Sequence, residues 1–217
     1  MAASSAPETV DRLIKVGLIP VIRYQHADDG ALAIDACLRA GFPTVEITLT
    51  MPDATDLIRE FARRTESHQF IGAGTVWTEQ DCEQVLAAGA RYVVTPGLVP
   101  GMGAMVHAGG AAYLPGALTP TEIAAAVRDG ADVVKLFPAS TVGPAHLKAV
   151  AAVFAHARFC PTGGVTGDNM EAWFAAGAAC VGLGSSLFSS AAMRSREQKQ
   201  LVDEARLMLD RMSLITR

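Results

Sequence analysis

Short apolar runs recur along this chain, each followed by a stretch in which apolar residues return every three or four positions. The cleanest alternation is Thr44-Val45-Glu46-Ile47-Thr48-Leu49-Thr50. Read as a strand, it puts Thr44, Glu46, Thr48 and Thr50 on one face and Val45, Ile47 and Leu49 on the other. Further strands are predicted over 18–23 (with Pro20 a mild objection), 69–74, 91–95, 111–115, around Lys135, 158–161 and 179–184. Helices are predicted over 7–16, 28–40, 78–88, 101–108, 145–154, 168–176 and 194–212, and from Thr119 or Thr121 to Asp129. Thr78 is a plausible N-cap, with Gln80 and Asp81 in the first turn behind it.

Four helix ends share a small-residue joint around Gly41, Gly89, Gly130 and Gly177, spaced 48, 41 and 47 residues apart. Each interval is close to two strand–helix units, so the chain reads as one modular array over 1–217 rather than two unlike domains. Eight strands, each followed by a helix, predict a (β/α)8 barrel with a short N-terminal helix. The rival is an open doubly wound sheet. No G-x-G-x-x-G follows a strand here, and the polar face of 44–50 suits a barrel interior better than a strand covered by helices on both sides.

Composition narrows the function classes. The 217 residues are 50% hydrophobic and 18% charged, enough for one sizeable core. A formal net charge of −4 gives no reason to expect nucleic acid or a membrane surface as partner, so an anionic substrate must be held locally. The leading residues Met1 to Glu8 lack the layout of a signal peptide, and no apolar run reaches membrane-spanning length. A cytoplasmic protein is expected. Cys37, Cys82, Cys160 and Cys180 form no C-x-x-C pair and read as buried thiols, and the five histidines show no metal-ligand spacing. No metal is expected.

The stretch Asp132-Val133-Val134-Lys135-Leu136-Phe137-Pro138-Ala139-Ser140 places Val133, Lys135 and Phe137 on one strand face. A lone ammonium inside an apolar run is costly to bury, and an amine in such a setting is the nucleophile that forms Schiff bases with carbonyl substrates. Alternatively the lysine snorkels to water from a frayed strand end. Glu46, on the polar face of 44–50, suits a general acid/base, or it pairs with a neighbour such as Arg23. By alternation with Val21, Arg23 should point inward, where a guanidinium can hold a carboxylate in bidentate fashion, and Thr75 can add a hydroxyl. Strand ends rich in glycine follow 158–161 and 179–184. Gly163, Gly164, Gly184 and Ser185 there fall where barrels of this kind cradle phosphate, unless these glycines only turn the chain.

Val45-Glu46-Ile47-Thr48-Leu49, Gly72-Ala73-Gly74-Thr75-Val76, Thr95-Pro96-Gly97, Val134-Lys135-Leu136-Phe137-Pro138-Ala139, Pro161-Thr162-Gly163-Gly164 and Gly182-Leu183-Gly184-Ser185 occur in this order. Together they resemble the 2-keto-3-deoxy-6-phosphogluconate / 4-hydroxy-2-oxoglutarate aldolase family over nearly the whole chain. The resemblance implies a class I aldolase, usually homotrimeric, that needs no cofactor and acts on a phosphorylated 2-keto acid to release pyruvate. It places Lys135 on the Schiff-base lysine, Glu46 on the general acid/base and Thr75 on the pyruvyl-carboxylate site. It places Gly163, Gly164, Gly184 and Ser185 on the phosphate site. The motif residues Thr50, Pro96, Phe137 and Thr162 complete the expected substrate-binding set. Thr50 stands where the gluconate-specific branch usually has an Arg. Arg23 and the run from Phe137 to Pro144 look more like the 2-keto-3-deoxy-6-phosphogalactonate branch, whereas Arg158 to Gly164 looks more like the gluconate branch. Two other readings remain: a sugar-phosphate epimerase or isomerase, which wants a second inward carboxylate or a His, and a non-catalytic phosphate-binding barrel.

Overall fold

The chain begins, in the computed structural model describing residues 5–216, with helix α1 (Ala6–Val16). The expectation about a leader therefore lies partly, at Met1–Ser4, outside the described residues. The apolar stripe of α1, Val10, Leu13 and Ile14, packs against Ile19, Phe70, Ala112, Val133 and Cys180. Those five stand at or near the starts of different strands, so α1 closes the end of the molecule where the strands begin. Gly17 stops the helix in a left-handed conformation, its N–H donating to the Leu13 carbonyl at 3.0 Å.

Strands and helices then alternate: β1 (Leu18–Ile22), α2 (Ala27–Ala40), β2 (Thr44–Thr48), α3 (Ala54–Arg64), β3 (Phe70–Gly74), α4 (Glu79–Ala88), β4 (Tyr92–Val94) and α5 (Met102–Ala108). The series continues with β5 (Ala112–Leu114), β6 (Gly116–Ala117), α6 (Pro120–Arg128), β7 (Val134–Leu136), α7 (Gly143–Val153), β8 (Phe159–Pro161) and α8 (Met170–Ala175). It ends with β9 (Val181–Leu183), α9 (Ser190–Ser195) and α10 (Gln198–Ser213). Every strand pair among the described residues is parallel. One arc runs β5-β4-β3-β2-β1-β9 and the other β6-β7-β8. Thr162 bridges Gly182 to join β8 to β9, and β5 continues into β6 through Pro115, so the arcs close into one (β/α)8 barrel.

Four elements depart from the pattern reading. The stave expected over 111–115 is in two pieces, because Pro115 has no N–H to offer a neighbour. The first piece pairs with β4 and the second with β7, while the Pro115 carbonyl accepts from the Lys135 N–H at 2.9 Å. The helix expected over 194–212 is two helices, broken where Arg196 turns left-handed (φ 56°). Helix α3, which the pattern reading does not single out, buries Leu57, Ile58 and Phe61 from a sequence in which five of eleven residues are charged. Strand β2 also stops at Thr48, short of the expected Thr50.

Elsewhere local chemistry and fold agree. Thr78 and Asp81 form a capping box at the start of α4, and Thr119 with Glu122 does the same for α6, settling Thr119 over Thr121. The four joint glycines all have φ between 94° and 105°. Side chains alternate along the staves: Ile22, Val45, Ile47, Val134 and Leu136 pack under the helices, whereas Ile19, Val94, Leu114 and Cys160 fill the barrel. From β2 the interior receives Thr44, Glu46 and Thr48, all buried.

Tyr92 fills the space beside β3, and a methyl on Gly72 would lie 2.0 Å from its ring. The ring is anchored by a hydrogen bond that Thr44 Oγ1 donates to the phenol oxygen at 3.2 Å, so it has little room to yield. Gly72→Ala is expected to lower unfolding stability by about 1–3 kcal/mol. Urea titration reads this, and an unchanged midpoint would show that the ring can move.

Candidate active site

Lys135 is the central residue of β7, held between Gly116 of β6 and Cys160 of β8. Its neighbours Val134 and Leu136 point outward to the helices, which turns Lys135 into the barrel, where its side chain is only 4% exposed. Nζ lies 3.8 Å from Glu46 Oε1 and 5.1 Å from the centre of the Phe137 ring. Glu46 comes from β2, which shares no ladder with β7, so the pair spans the interior. At that distance the two are an ion pair without a hydrogen bond. Glu46 Oε1 has no hydrogen-bond partner among the described residues. A buried acceptor left in this state is unfavourable by about 1–3 kcal/mol, and a proton-bearing group that enters beside Lys135 satisfies it.

Two glycines make room for this arrangement. A methyl on Gly74 would sit 2.0 Å from Glu46 Oε1, and a methyl on Gly182 would sit 2.4 Å from Thr162 Oγ1. Gly74 is thus glycine to admit a side chain of the protein. Beside Glu46 lies Tyr92, whose phenol is pushed well above its ordinary value by burial first and by the Glu46 charge second. It remains a neutral hydroxyl next to the carboxylate.

Above this pair a cavity of about 570 Å³ opens at the strand C-terminal ends. Seven of the sequence-predicted residues line it: Arg23, Phe137, Thr162, Gly163, Gly164, Gly184 and Ser185. Lys135 lies two residues before Phe137 on the same strand face, and Glu46 is level with the cavity residue Val21 in the β1–β2 ladder, so the ion pair forms the floor beneath. The loops at the mouth are tied together. Carbonyls of Thr162 and Gly163 accept from the Ala139 and Ser140 N–H groups, Asn169 Nδ2 donates to the Gly164 carbonyl, and Ser186 Oγ donates to the Val165 carbonyl. Gly163 and Gly164 both have positive φ (89° and 81°), which their turn requires.

The remaining expected residues stand apart from the cavity wall. Thr75, in a left-handed conformation (φ 60°), receives a long 3.5 Å hydrogen bond from Arg23 Nη2. Such a backbone in a β-branched residue is a strained one, and strain of this kind clusters at functional sites. Pro96 packs against Gly116, where β5 turns into β6. Thr50 is exposed just past β2, its Oγ1 3.0 Å from Thr48 Oγ1. Sequence reasoning missed Tyr24, Ser190 and Arg194, which also line the cavity. The only available signal was their closeness in sequence to Arg23 and to the Gly184-Ser185 turn. The lining carries two arginines and no Asp or Glu, a polarity that favours an anionic ligand in a chain of net charge −4.

The family model described as "Aldolase: KDPG and KHG aldolase" matches residues 10–203. The chain is 34% identical over 172 residues to the probable 2-dehydro-3-deoxy-6-phosphogalactonate aldolase of Rhizobium meliloti (strain 1021), covering 79% of this chain and 81% of that protein. It is equally 34% identical over 166 residues to the 2-dehydro-3-deoxy-phosphogluconate aldolase of Treponema pallidum (strain Nichols), covering 76% and 79%. The crystal structure of KDPG aldolase from Legionella pneumophila, with pyruvate captured at low pH as a covalent carbinolamine intermediate, superposes with a TM-score of 0.82. Identity there is 28%, with 92% of this chain and 97% of that one covered.

All three tyrosines are shifted upward: Tyr24 and Tyr113 to about 12, chiefly by burial, and Tyr92 beyond its ordinary range. A phenol with a raised folded-state value contributes its full stability below about pH 10 and loses it as pH climbs further. Phenolate absorbance is therefore expected to rise together with loss of the circular-dichroism signal in one transition above about pH 10. All three phenols ionising near pH 10 while the fold persists would contradict the burial of Tyr92 beside Glu46.

Proposed function

The chain belongs to the family of KDPG and KHG aldolases, and from that premise we propose that Lys135 is its Schiff-base nucleophile and Glu46 its proton carrier. The enzyme is a carbon–carbon lyase of the class I, Schiff-base type. The observation that carries the residue assignment is the buried Lys135–Glu46 pair, 3.8 Å apart beneath a cavity without other carboxylates.

The attacking form of Lys135 is the free amine, and Glu46 takes the ammonium proton. Nζ adds to the C2 carbonyl of a 2-keto-3-deoxy-6-phospho sugar acid, giving a carbinolamine. Glu46 returns the proton, through a water, to the departing hydroxyl, and the iminium forms. Glu46, again a carboxylate, then takes the C4 hydroxyl proton through the water, holding it for the later protonation at C3, and the C3–C4 bond breaks. Its electron pair moves into the iminium to give an enamine, and glyceraldehyde 3-phosphate leaves. Protonation at C3 and hydrolysis release pyruvate and restore Lys135. Arg23 and Thr75 are the grip on the substrate carboxylate, and Gly163, Gly164, Gly184 and Ser185 the cradle for its phosphate.

Thr162 on the cavity wall supports a gluconate-type substrate, and the reach of Arg23 into the same cavity supports a galactonate-type one. Relatives bearing either name are equally similar. The unphosphorylated 4-hydroxy-2-oxoglutarate is a further candidate, on the family's name. An epimerase would want a second carboxylate or a histidine on the lining, and neither is among the residues there. The family resemblance also supports a cytoplasmic homotrimer.

Borohydride reduction in the presence of pyruvate is expected to leave one covalent adduct, on Lys135, read by peptide mass spectrometry. Lys135→Met should abolish both adduct and cleavage, and Glu46→Gln should lower kcat by about 10²–10⁴-fold. Undiminished cleavage in Lys135→Met would remove the Schiff-base assignment.

A further inference from the structure

Helix α9 is clamped at both ends. At its start the Ser189 side chain accepts from the Ala192 N–H, while the Ser189 N–H and hydroxyl donate to the two carboxylate oxygens of Glu204 on α10, each at 2.8 Å. At its end Arg196 pairs with Asp29 of α2 at 2.6 Å. Between the clamps Ser190, Met193 and Arg194 face the cavity. Three cations of the same region have carboxylate partners: Arg196 with Asp29, Lys199 with Asp203 and Arg211 with Asp168. Arg194 has no ion pair and no hydrogen bond among the described residues, and no carboxylate lines the cavity to take one.

The two arginines of the cavity belong to different staves. Arg23 leaves β1 and touches Thr75 beyond β3, whereas Arg194 follows β9 and shares its loop cluster with Ser185. A substrate with a carboxylate at one end and a phosphate at the other needs two such counter-charges, one for each end. A guanidinium presents a planar fork that matches phosphate oxygens, and the clamps at both ends of α9 fix where this one leaves the backbone. We propose that Arg194 binds the distal phosphate of the substrate and so selects phosphorylated over unphosphorylated 2-keto-3-deoxy acids. The proposal rests on the aldolase reading for its substrate and on the geometry of α9 for its residue.

The test compares wild type, Arg194→Gln and Arg194→Lys on a 2-keto-3-deoxy-6-phospho sugar acid and on the same acid without phosphate. Arg194→Gln is expected to raise KM for the phosphorylated acid about tenfold or more, with kcat little changed. The change in kcat/KM on the unphosphorylated acid should be much smaller, so that the preference between the two acids falls, and Arg194→Lys should recover part of the loss. In parallel, inorganic phosphate should raise the melting temperature of wild type more than that of Arg194→Gln. An unchanged preference between the two acids, with unchanged protection by inorganic phosphate, overturns the proposal and leaves the aldolase reading standing. A wild type that cleaves neither acid overturns the aldolase reading, and the phosphate protection then decides on Arg194 alone.

Discussion

The rest of the molecule is arranged around two opposite charges that have been taken out of water together. Lys135 and Glu46 are each 4% exposed at the side chain, and withdrawing either from solvent is unfavourable by several kcal/mol per ion. Their mutual attraction offsets part of that, and at 3.8 Å without a hydrogen bond it does not satisfy either group fully. The surrounding barrel holds them there. β7 is fixed between β6 and β8, and β2 between β1 and β3. Gly74 leaves the space that the carboxylate occupies, and Gly72 leaves the space for Tyr92 beside it. A pair so positioned and only partly satisfied is well prepared to exchange a proton with a carbonyl substrate.

The cavity above is polarised independently of the protein's overall charge. The chain is net acidic, yet the lining holds Arg23, Arg194, the serines Ser185, Ser186 and Ser190, and no carboxylate. Its loops are tied to one another by backbone and side-chain hydrogen bonds, so the donors are in place before a ligand arrives. Beside the mouth Thr75 holds a strained left-handed backbone and receives the Arg23 hydrogen bond. In the proposed reaction floor and mouth divide the work, with a covalent centre below and anion recognition above.

Much of this was legible in the residues. Period-two alternation placed Lys135 and Glu46 on inward faces, and the recurring joint glycines exposed the array of βα units, because both signals are local and repeat with the geometry of the backbone. Where the reading departed from the structure, a longer-range demand had intervened. Pro115 divides one stave because closure asks its two halves to face different neighbours. Arg196 breaks the last helix, and in that conformation it pairs with Asp29, 167 residues away. Thr50 looked like a further inward position of β2, but the strand had already ended at Thr48.

By itself the sequence determined the barrel, the lysine, the carboxylate and the glycine-rich turns, since alternation, caps and ordered motifs are properties of neighbouring residues. Only the tertiary structure decided which side chains meet. It brought Glu46 across the interior to Lys135 rather than to Arg23, spent Gly74 on the carboxylate, and folded Arg194 back over the mouth of the cavity. Those meetings depend on how the staves close and how α9 is braced against α2 and α10. Both are set by contacts between residues far apart in the chain, which no local pattern records.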